Sequence, residues 1–352
     1  MILSRTLKAT AIAAVLASPA FAPAFANDGF GGLTASGLEF RDSPVQMLSE
    51  DLYLSLDKIK VSYVFLHGGD EDLEGEMIFP LPPVNLASLN ESDFALTDED
   101  LAKENIVGFT ATVDGKPVKV KVDRVAVIEP DYDENRPASA SYDTPGKDIT
   151  AELAKYAIPL SYDYTKVVAQ LNKLPKAAKD ELTAAGIAGF DDESGYPMWS
   201  LIERYHWTQV FPHGKELKVS HEYKAAPPGG IFIWRDPKGE EGESAAKIAK
   251  DYCVDAGTQA ALKKALRTDE SNTGYWIGTA YYLDYVLKTA RTWNGPIKDF
   301  KLTIDKGKAD SVISLCIDGI KKTGPTTFVV EKKDFTPSED ISILIVPKTP
   351  KE

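Results

Sequence analysis

Apolar and polar residues alternate with a period of two over much of the segment Asp51–Val127, for example around Leu52 and Leu54. Successive side chains of a strand point to opposite faces, so this alternation predicts short strands with one buried face. Asp114-Gly115 is a two-residue hairpin signal, because both residues tolerate a positive φ. Several short strands separated by turns favour an antiparallel sandwich over alternating strands and helices.

The pattern changes to helical spacing between residues 148 and 198. Three helices are predicted, at Ile149–Tyr156, Tyr164–Leu174 and Lys176–Ala185. Asp148 is a suitable N-cap for the first helix, and Gly186 is a suitable C-terminal stop for the third. We interpret this segment as a small helical module that covers an edge or a face of a sheet.

Strand-like patterns return from Trp199 onward, together with all five tryptophans and both cysteines. One helix is predicted at Thr258–Leu266. Strands are predicted around Tyr275–Ala290, Phe300–Ile304, Val312–Ile317, Thr326–Val330 and Ile341–Val346. The predicted fold is mainly β (α+β), with two antiparallel β-sandwich-like domains, residues 27–147 and 199–352, and the helical module 148–198 between them.

The segment Glu203–Tyr223 is predicted to form a hairpin. Pro212-His213-Gly214 fits a three-residue loop with glycine in the left-handed position, and this register pairs Trp207 with Val219. The resulting apolar face carries Tyr205, Trp207, Phe211, Leu217, Val219, His221 and Tyr223. A one-residue slip would divide these side chains between two faces, so burial selects the first register.

The alternative register would place His206 opposite His221 and create half of a metal site. Because the preferred register turns His206 away from His221, a zinc pair is disfavoured. We therefore expect His221 to be a buried histidine whose ring is hydrogen bonded, with a role as ligand or base as the alternative.

The amino-terminal segment has the features of a secretory signal peptide. Arg5 and Lys8 are the only charged residues before residue 27, and an apolar run follows them from residue 9 to 21. Alanines occupy both small positions of an A-x-A site ending at Ala26, so we expect cleavage between Ala26 and Asn27. The run is short for about 30 Å of hydrocarbon, which disfavours an uncleaved membrane helix. No later segment is predicted to be transmembrane.

Cys253 and Cys316 are the only cysteines, and export would place them in an oxidising compartment. A disulfide between them is the preferred prediction. A reactive thiol is the alternative, but neither cysteine belongs to a C-x-x-C motif or is adjacent to histidine.

Charge and motifs exclude several classes of function. The net charge of −13 is unsuited to a nucleic-acid-binding face. No phosphate-binding loop, dinucleotide fingerprint, H-E-x-x-H or G-x-S-x-G motif is present, and no cofactor or metal is predicted. Asp70–Gly75 imitates the start of a calcium loop, but Leu81 occupies the twelfth position where glutamate is needed. The 53 acidic residues leave a hydrolase with paired carboxylates open.

Aromatic side chains are the remaining candidates for a ligand-binding or partner-binding site. The candidates are Trp207, His221, Tyr223, Trp234 and Trp293. Most aromatic residues of a sandwich fill its core. Trp234 and Trp293 are flanked by turn residues, so these two are predicted to lie at the surface.

Several blocks of sequence resemble the bacterial domain-of-unknown-function family 4424. The blocks are Met47–Leu52, Val61–Phe65, Phe79–Pro82, Trp207–Pro212, His221–Tyr223, Tyr252–Cys253 and Thr289–Ile297. The resemblance spans nearly the whole mature chain and implies an exported, periplasmic bacterial protein with no assigned reaction. The first strands also resemble the vault/inter-alpha-trypsin type of sandwich, which is an analogy of fold only.

These observations favour a non-catalytic binding or envelope-associated module in the periplasm, whose partner is an unknown envelope protein or glycan. A periplasmic hydrolase that acts on glycan or peptide through carboxylates, with His221 as a further candidate, is the alternative. A third possibility is a structural component that presents a sheet edge to its partner. An enzyme should gather polar groups of perturbed pKa in one pocket, whereas a binding module should not.

Overall fold

The structure is a computed structural model. It describes residues 29–350 except 35–36, 92–95, 132, 134–139, 141–143, 192–193, 240–241, 269–273, 288–289 and 291–292. The predicted cleavage site between Ala26 and Asn27 lies outside the described residues. Antiparallel sheets dominate the described part, as expected for the predicted mainly β (α+β) class.

Short and medium-length strands run through the whole described part of the chain. In chain order they are Gly29–Thr34 (β1), Gly37–Phe40 (β2), Gln46–Ser55 (β3), Lys58–Leu66 (β4), Leu73–Pro80 (β5), Val84–Asn85 (β6), Thr110–Val113 (β7), Lys116–Pro117 (β8), Lys121–Ile128 (β9), Lys147–Asp148 (β10), Ala188–Phe190 (β11), Gly195–Pro197 (β12), Ser200–Phe211 (β13), Glu216–Lys224 (β14), Gly229–Trp234 (β15), Arg267–Thr268 (β16), Trp276–Tyr285 (β17), Ile297–Asp305 (β18), Val312–Leu315 (β19), Lys321–Lys322 (β20), Thr327–Phe335 (β21) and Ile341–Val346 (β22).

Helices lie mainly between the strand-rich parts of the chain. They are Leu86–Glu91 (α1), Asp98–Leu101 (α2), Thr150–Lys155 (α3), Tyr164–Asn172 (α4), Lys176–Ala184 (α5), Glu243–Asp251 (α6) and Ala256–Ala265 (α7). The three predicted helices of the central module are therefore present with small differences at their ends. Helix α6 has no counterpart among the sequence predictions.

Two sheets pack face to face and enclose the main hydrophobic core. Sheet I has the strand order β10-β9-β13-β5-β1-β2, with β6 paired to β13, and sheet II has the order β20-β21-β18-β3-β4-β14-β7-β8. Rings from the two sheets meet in the interior, where Phe65 lies 5.8 Å from Phe211 and Phe79 lies 5.0 Å from Tyr223. This arrangement is a β-sandwich.

A third sheet, sheet III, has the order β15-β17-β22-β19, with β16 paired to β17. Alternate residues of β22 serve different cores: Ile343 and Ile345 join the sandwich core, whereas Leu344 packs with Trp234 and Leu262 under α7. Strand β15 forms one edge of the sheet.

The predicted disulfide is present. Cys253 follows α6, Cys316 follows β19, and their sulfur atoms are 2.04 Å apart. The bond therefore fixes the end of α6 to sheet III.

The predicted boundary between two separate sandwich domains is wrong. Strand β13 from the second predicted domain lies between β5 and β9 of the first in sheet I. Strand β18 runs parallel to β3 in sheet II, although the two strands come from opposite ends of the chain. Residues 27–147 and 199–352 therefore share both sheets, because the alternation within each strand records a buried face but not its neighbours.

The predicted hairpin between residues 203 and 223 is also wrong. Strand β13 pairs with β5 and β9 in sheet I, whereas β14 pairs with β4 and β7 in sheet II. The turn at Gly214, where φ is +64°, therefore carries the chain from one sheet to the other. The predicted set of inward residues is still buried apart from Tyr223, which is half-buried, because facing sheets direct the same alternation into one core.

Candidate ligand-binding cleft

One end of the sandwich contains a cleft of about 490 Å³, a volume within the range of small-molecule sites. Most of its walls come from four parts of the chain: the end of β5 with the following segment, the region of α2, the end of β14, and the last residues of β17. Ile59, Glu129 and Tyr162 add single contributions from other segments. Most of the lining side chains are apolar. They include Ile59, Phe79, Leu81, Val84, Leu89, Leu96, Leu101, Ile106, Val107, Tyr223, Leu283 and Val286.

Five prolines shape two walls of this cleft, namely Pro80, Pro82, Pro83, Pro227 and Pro228. A proline has no backbone N–H to donate to a strand ladder, so these residues end β5 and separate β14 from β15. The chain is anchored beside them, because the Leu81 amide donates to the Glu203 carbonyl and the Tyr282 amide donates to the Pro228 carbonyl. The prolines thus present apolar walls that carry no unsatisfied N–H group.

A cluster of rings forms the floor of the cleft. His221 lies 4.8 Å from Phe79, 5.1 Å from Phe109 and 6.1 Å from Tyr223, measured between ring centroids. Phe109 in turn stacks on Tyr205 at 4.5 Å. Phe79 and Tyr223 reach the cleft surface, whereas His221 is only 2% exposed and packs behind them. His221 therefore supports the floor and does not line the cleft.

Polar groups of the cleft lie at its margin. Lys224 is paired with Asp100, whose carboxylate lies 2.9 Å from the lysine Nζ, and the pKa of Asp100 is lowered, first by its hydrogen bond from Lys224. Glu129 accepts a hydrogen bond from Ser200 and is exposed. Asp100 neutralises the charge of Lys224. The net charge of the cleft margin is therefore determined by its acidic side chains.

Asp284 is the second acidic group of the lining, on β17. Asp284 is exposed at the rim of the cleft. Protein atoms packed around its carboxyl group nevertheless raise the pKa of this group by desolvation. A hydrogen bond with Ser342 lowers the pKa, and the charge of Asp340 raises it. Burial also raises the pKa of the neighbouring Tyr282 phenol. Burial therefore shifts both groups on this side of the cleft towards their neutral forms, relative to the same groups in water.

Behind the opposite wall, a buried ion pair fixes the surrounding loops. Arg124 Nε donates to Glu203 Oε2 at 2.9 Å, and the same guanidinium donates to the carbonyl oxygens of Leu160 and Glu104. Tyr205 also donates to Glu203, whose side chain is fully buried. The network ties the module around α3 and α4 to sheet I and so positions the cleft wall near α2.

The structure distributes the five predicted site residues over different environments. Tyr223 lines the cleft, and His221 supports its floor. Trp207 is buried in the sandwich core, where its Nε1 donates to Gln209. The predicted surface position of Trp234 and Trp293 is wrong, since they are 0% and 2% exposed. The Trp293 ring lies 4.5 Å from the Phe65 ring, and the Asn294 amide that follows it donates to the carbonyl of the buried Val45.

Sequence patterns do not identify most of the cleft residues. They mark Phe79 and the prolines after it only as the end of a strand, and they do not single out Tyr282 or Asp284. A signal is nevertheless present, because two Pro-Pro pairs, at 82–83 and 227–228, each follow a strand that ends with an aromatic residue nearby.

Metal sites and membrane spans are absent from the described residues. These residues contain no group of three or more His, Cys, Asp or Glu side chains arranged to hold a metal ion. None of the described helices is long and apolar enough to cross a membrane.

Comparisons with known proteins add the following findings. The family model described as Domain of unknown function (DUF4424) matches residues 26–344. No curated protein matches the sequence. A solved structure from Legionella pneumophila, provisionally described as a nutrient binding protein, is 13% identical with a TM-score of 0.42. That alignment covers 92% of this chain and 72% of the other.

Proposed function

Since this chain belongs to the DUF4424 family, whose description assigns no reaction, we propose from the geometry that it is a binding module for a small, largely apolar ligand. The observation that carries the proposal is the cleft of about 490 Å³ with its apolar walls and few polar groups at the margin. Sites of this size and composition bury most of the surface of a small organic ligand.

The margin defines the polar part of the ligand. Lys224 is already paired with Asp100, so it contributes little attraction for an anion. Glu129 and Asp284 supply carboxyl oxygens that accept hydrogen bonds. The ligand is therefore an apolar molecule that carries hydrogen-bond donors or a positive charge at one end.

A neutral fluorescent probe, N-phenyl-1-naphthylamine, tests the proposal. We expect enhanced emission with the native protein and loss of this enhancement in the Ala226→Trp variant, which fills the cleft from its half-buried lining. Ala177→Trp is the matched control, because Ala177 is an exposed helical residue outside the cleft. Equal probe binding by the native protein and Ala226→Trp, or no binding by the native protein, would overturn the proposal.

A hydrolase remains a second candidate because of one observation. Glu129 and Asp284 line the same cleft, and the raised pKa of Asp284 suits a proton donor. His221 has no part in this scheme, since it is buried behind the floor. The variant Asp284→Asn separates the two functions: a hydrolase loses glycan or peptide turnover, whereas a binding module shows no turnover in either form and keeps its affinity for the probe.

We also propose that the protein is exported to the periplasm after cleavage between Ala26 and Asn27. Two observations support this location: the disulfide suits an oxidising compartment, and the family match begins at residue 26. Intact mass of the protein isolated from its native cells is expected to lack residues 1–26 and to show no alkylation of Cys253 or Cys316. A full-length chain with two alkylated thiols would refute export.

A further inference from the structure

A second cleft lies beside sheet III, between α7 and the region of strand β19, with further lining from the segments after β18 and β22. Its volume is also about 490 Å³, and none of its lining residues lines the apolar cleft. Its charged lining differs from that of the apolar cleft, since it contains Lys264, Lys306 and Lys348 together with Asp310. Three lysines and one aspartate therefore line this cleft, on a protein whose overall net charge is −13.

Lys306 is an unusual member of this group because it is only 6% exposed. Its Nζ donates to the carbonyl oxygens of Ala309 at 2.8 Å and of Ser311 at 2.6 Å. An ammonium group has three hydrogens, so these two bonds leave one, and the same group lies 5.9 Å from the centre of the Phe328 ring. The carbonyl groups hold the side chain in place without cancelling its full charge.

The other two lysines increase the local positive potential. In the described part of the chain, neither Lys264 nor Lys348 forms an ion pair with a carboxylate. Burial lowers the pKa of Lys306, the charge of Lys322 lowers it further, and the charge of Asp310 raises it. Like charges repel one another, so an anion in this cleft would relieve the repulsion while it gains hydrogen bonds.

We propose that this cleft binds the phosphate group of a small molecule or lipid headgroup, with Lys306 as the buried contact and Lys264 and Lys348 closing around it. A tetrahedral oxyanion supplies several acceptor oxygens and therefore accepts from all three ammonium groups at once. The cleft is larger than a bare phosphate ion, which leaves space for the group attached to it. The first turn of α7 adds a modest positive potential, part of which its N-cap Asp255 offsets.

Inorganic phosphate is the first probe, titrated calorimetrically into the full-length mature protein at constant ionic strength. We expect saturable binding that the double variant Lys264→Gln/Lys348→Gln weakens by about tenfold or more, equivalent to about 1.4 kcal/mol. Lys263→Gln is the matched control, because Lys263 precedes Lys264 on the same helix but lies over the Trp276 ring. Unchanged affinity in the double variant, or equal weakening by the control, would overturn the proposal.

Thermal unfolding gives an independent measurement. Phosphate is expected to raise the melting temperature of the native protein, whereas sodium chloride at equal ionic strength is not. Lys306→Met should remove the phosphate-dependent increase, and the measurement remains valid if this variant is itself less stable. Equal stabilisation by chloride would show a general salt effect and refute a specific site.

Vesicles of phosphatidylcholine with and without phosphatidic acid distinguish the two sources of phosphate. Co-sedimentation that requires phosphatidic acid and is lost in the double variant assigns a lipid headgroup. Binding of free phosphate without co-sedimentation assigns a soluble ligand. A native protein that binds neither phosphate nor the vesicles contradicts the inference, and the outcome is independent of the apolar cleft.

Discussion

Two charge pairs sit side by side where β9 meets β13, and they allow a direct test of how burial determines the strength of an ion pair. Arg124 is opposite Glu203 in the register, and Asp123 is opposite Arg204. Adjacent strand residues point to opposite faces, so the two pairs lie on different sides of sheet I. The side chains of Arg124 and Glu203 are 16% and 0% exposed, whereas those of Arg204 and Asp123 are 19% and 40% exposed.

The variant Arg124→Met should destabilise the protein by about 3–5 kcal/mol at pH 8, the usual consequence of leaving a buried carboxylate without its partner. Arg204→Met breaks the more exposed pair and should cost only about 0–1 kcal/mol. Arg124→Met/Glu203→Gln should be more stable than Arg124→Met alone, because the second substitution removes the uncompensated charge. Urea unfolding followed by tryptophan fluorescence provides these free energies.

The effect of Arg124→Met should also depend on pH. Burial raises the pKa of Glu203, while hydrogen bonding from Tyr205 and the charge of Arg124 lower it. Without Arg124 the folded-state pKa rises further above the unfolded value of about 4.3. A carboxyl group with a raised folded pKa disfavours folding only when it is ionised, so the loss of stability should increase from acid pH upward through the folded pKa and then level off.

Two results would refute this reasoning. The first is a loss of stability in Arg124→Met that differs from that of Arg204→Met by less than about 1 kcal/mol at pH 8. The second is a loss that stays constant between pH 4 and pH 8, since a buried, titrating carboxylate must relieve its penalty on protonation.

Three further predictions concern the fold. Replacing Cys253 and Cys316 by serine opens a loop with a sequence separation of 63 and should lower the free energy of unfolding by up to about 4 kcal/mol, measured in urea. Trp293→Ala should lower it by about 3–5 kcal/mol, because the ring is 2% exposed; a loss below about 1 kcal/mol would contradict its burial. Gly115→Ala should lower the melting temperature and cost about 1 kcal/mol, because φ is +74° at this turn; an unchanged temperature would be inconsistent with that conformation.

Local pattern predicted the individual elements and their buried faces well. The turn at Asp114-Gly115 has the positive φ angles expected of its hairpin, and Ile341–Val346 is a strand with the predicted bounds. The inward positions Trp207 and Val219 are both buried. These features depend on residues close together in sequence, where alternation and turn chemistry act directly.

Pairing partners could not be predicted in the same way. Trp207 lies opposite Met77 in sheet I, whereas Val219 lies opposite Tyr63 in sheet II. A hairpin and a crossing between two sheets bury the same alternate residues, so the pattern is compatible with both. The cleft has the same origin, since Phe79, Tyr223 and Asp284 come from three distant segments and meet only after the sheets assemble.

The parallel pairing of β3 with β18 determines when sheet II can be completed during synthesis of the chain. Strand β3 lies inside sheet II, yet its neighbour Lys301 is 250 residues away from Asp51 in the sequence. At about 5–20 residues per second, a ribosome needs roughly 12–50 s to synthesise the intervening chain. Until β18 leaves the ribosome, one edge of β3 has no hydrogen-bonding partner, and sheet II is incomplete at that position. A nascent chain of this topology therefore remains incompletely folded until most of it has been made, which is the state that the export proposed above would require.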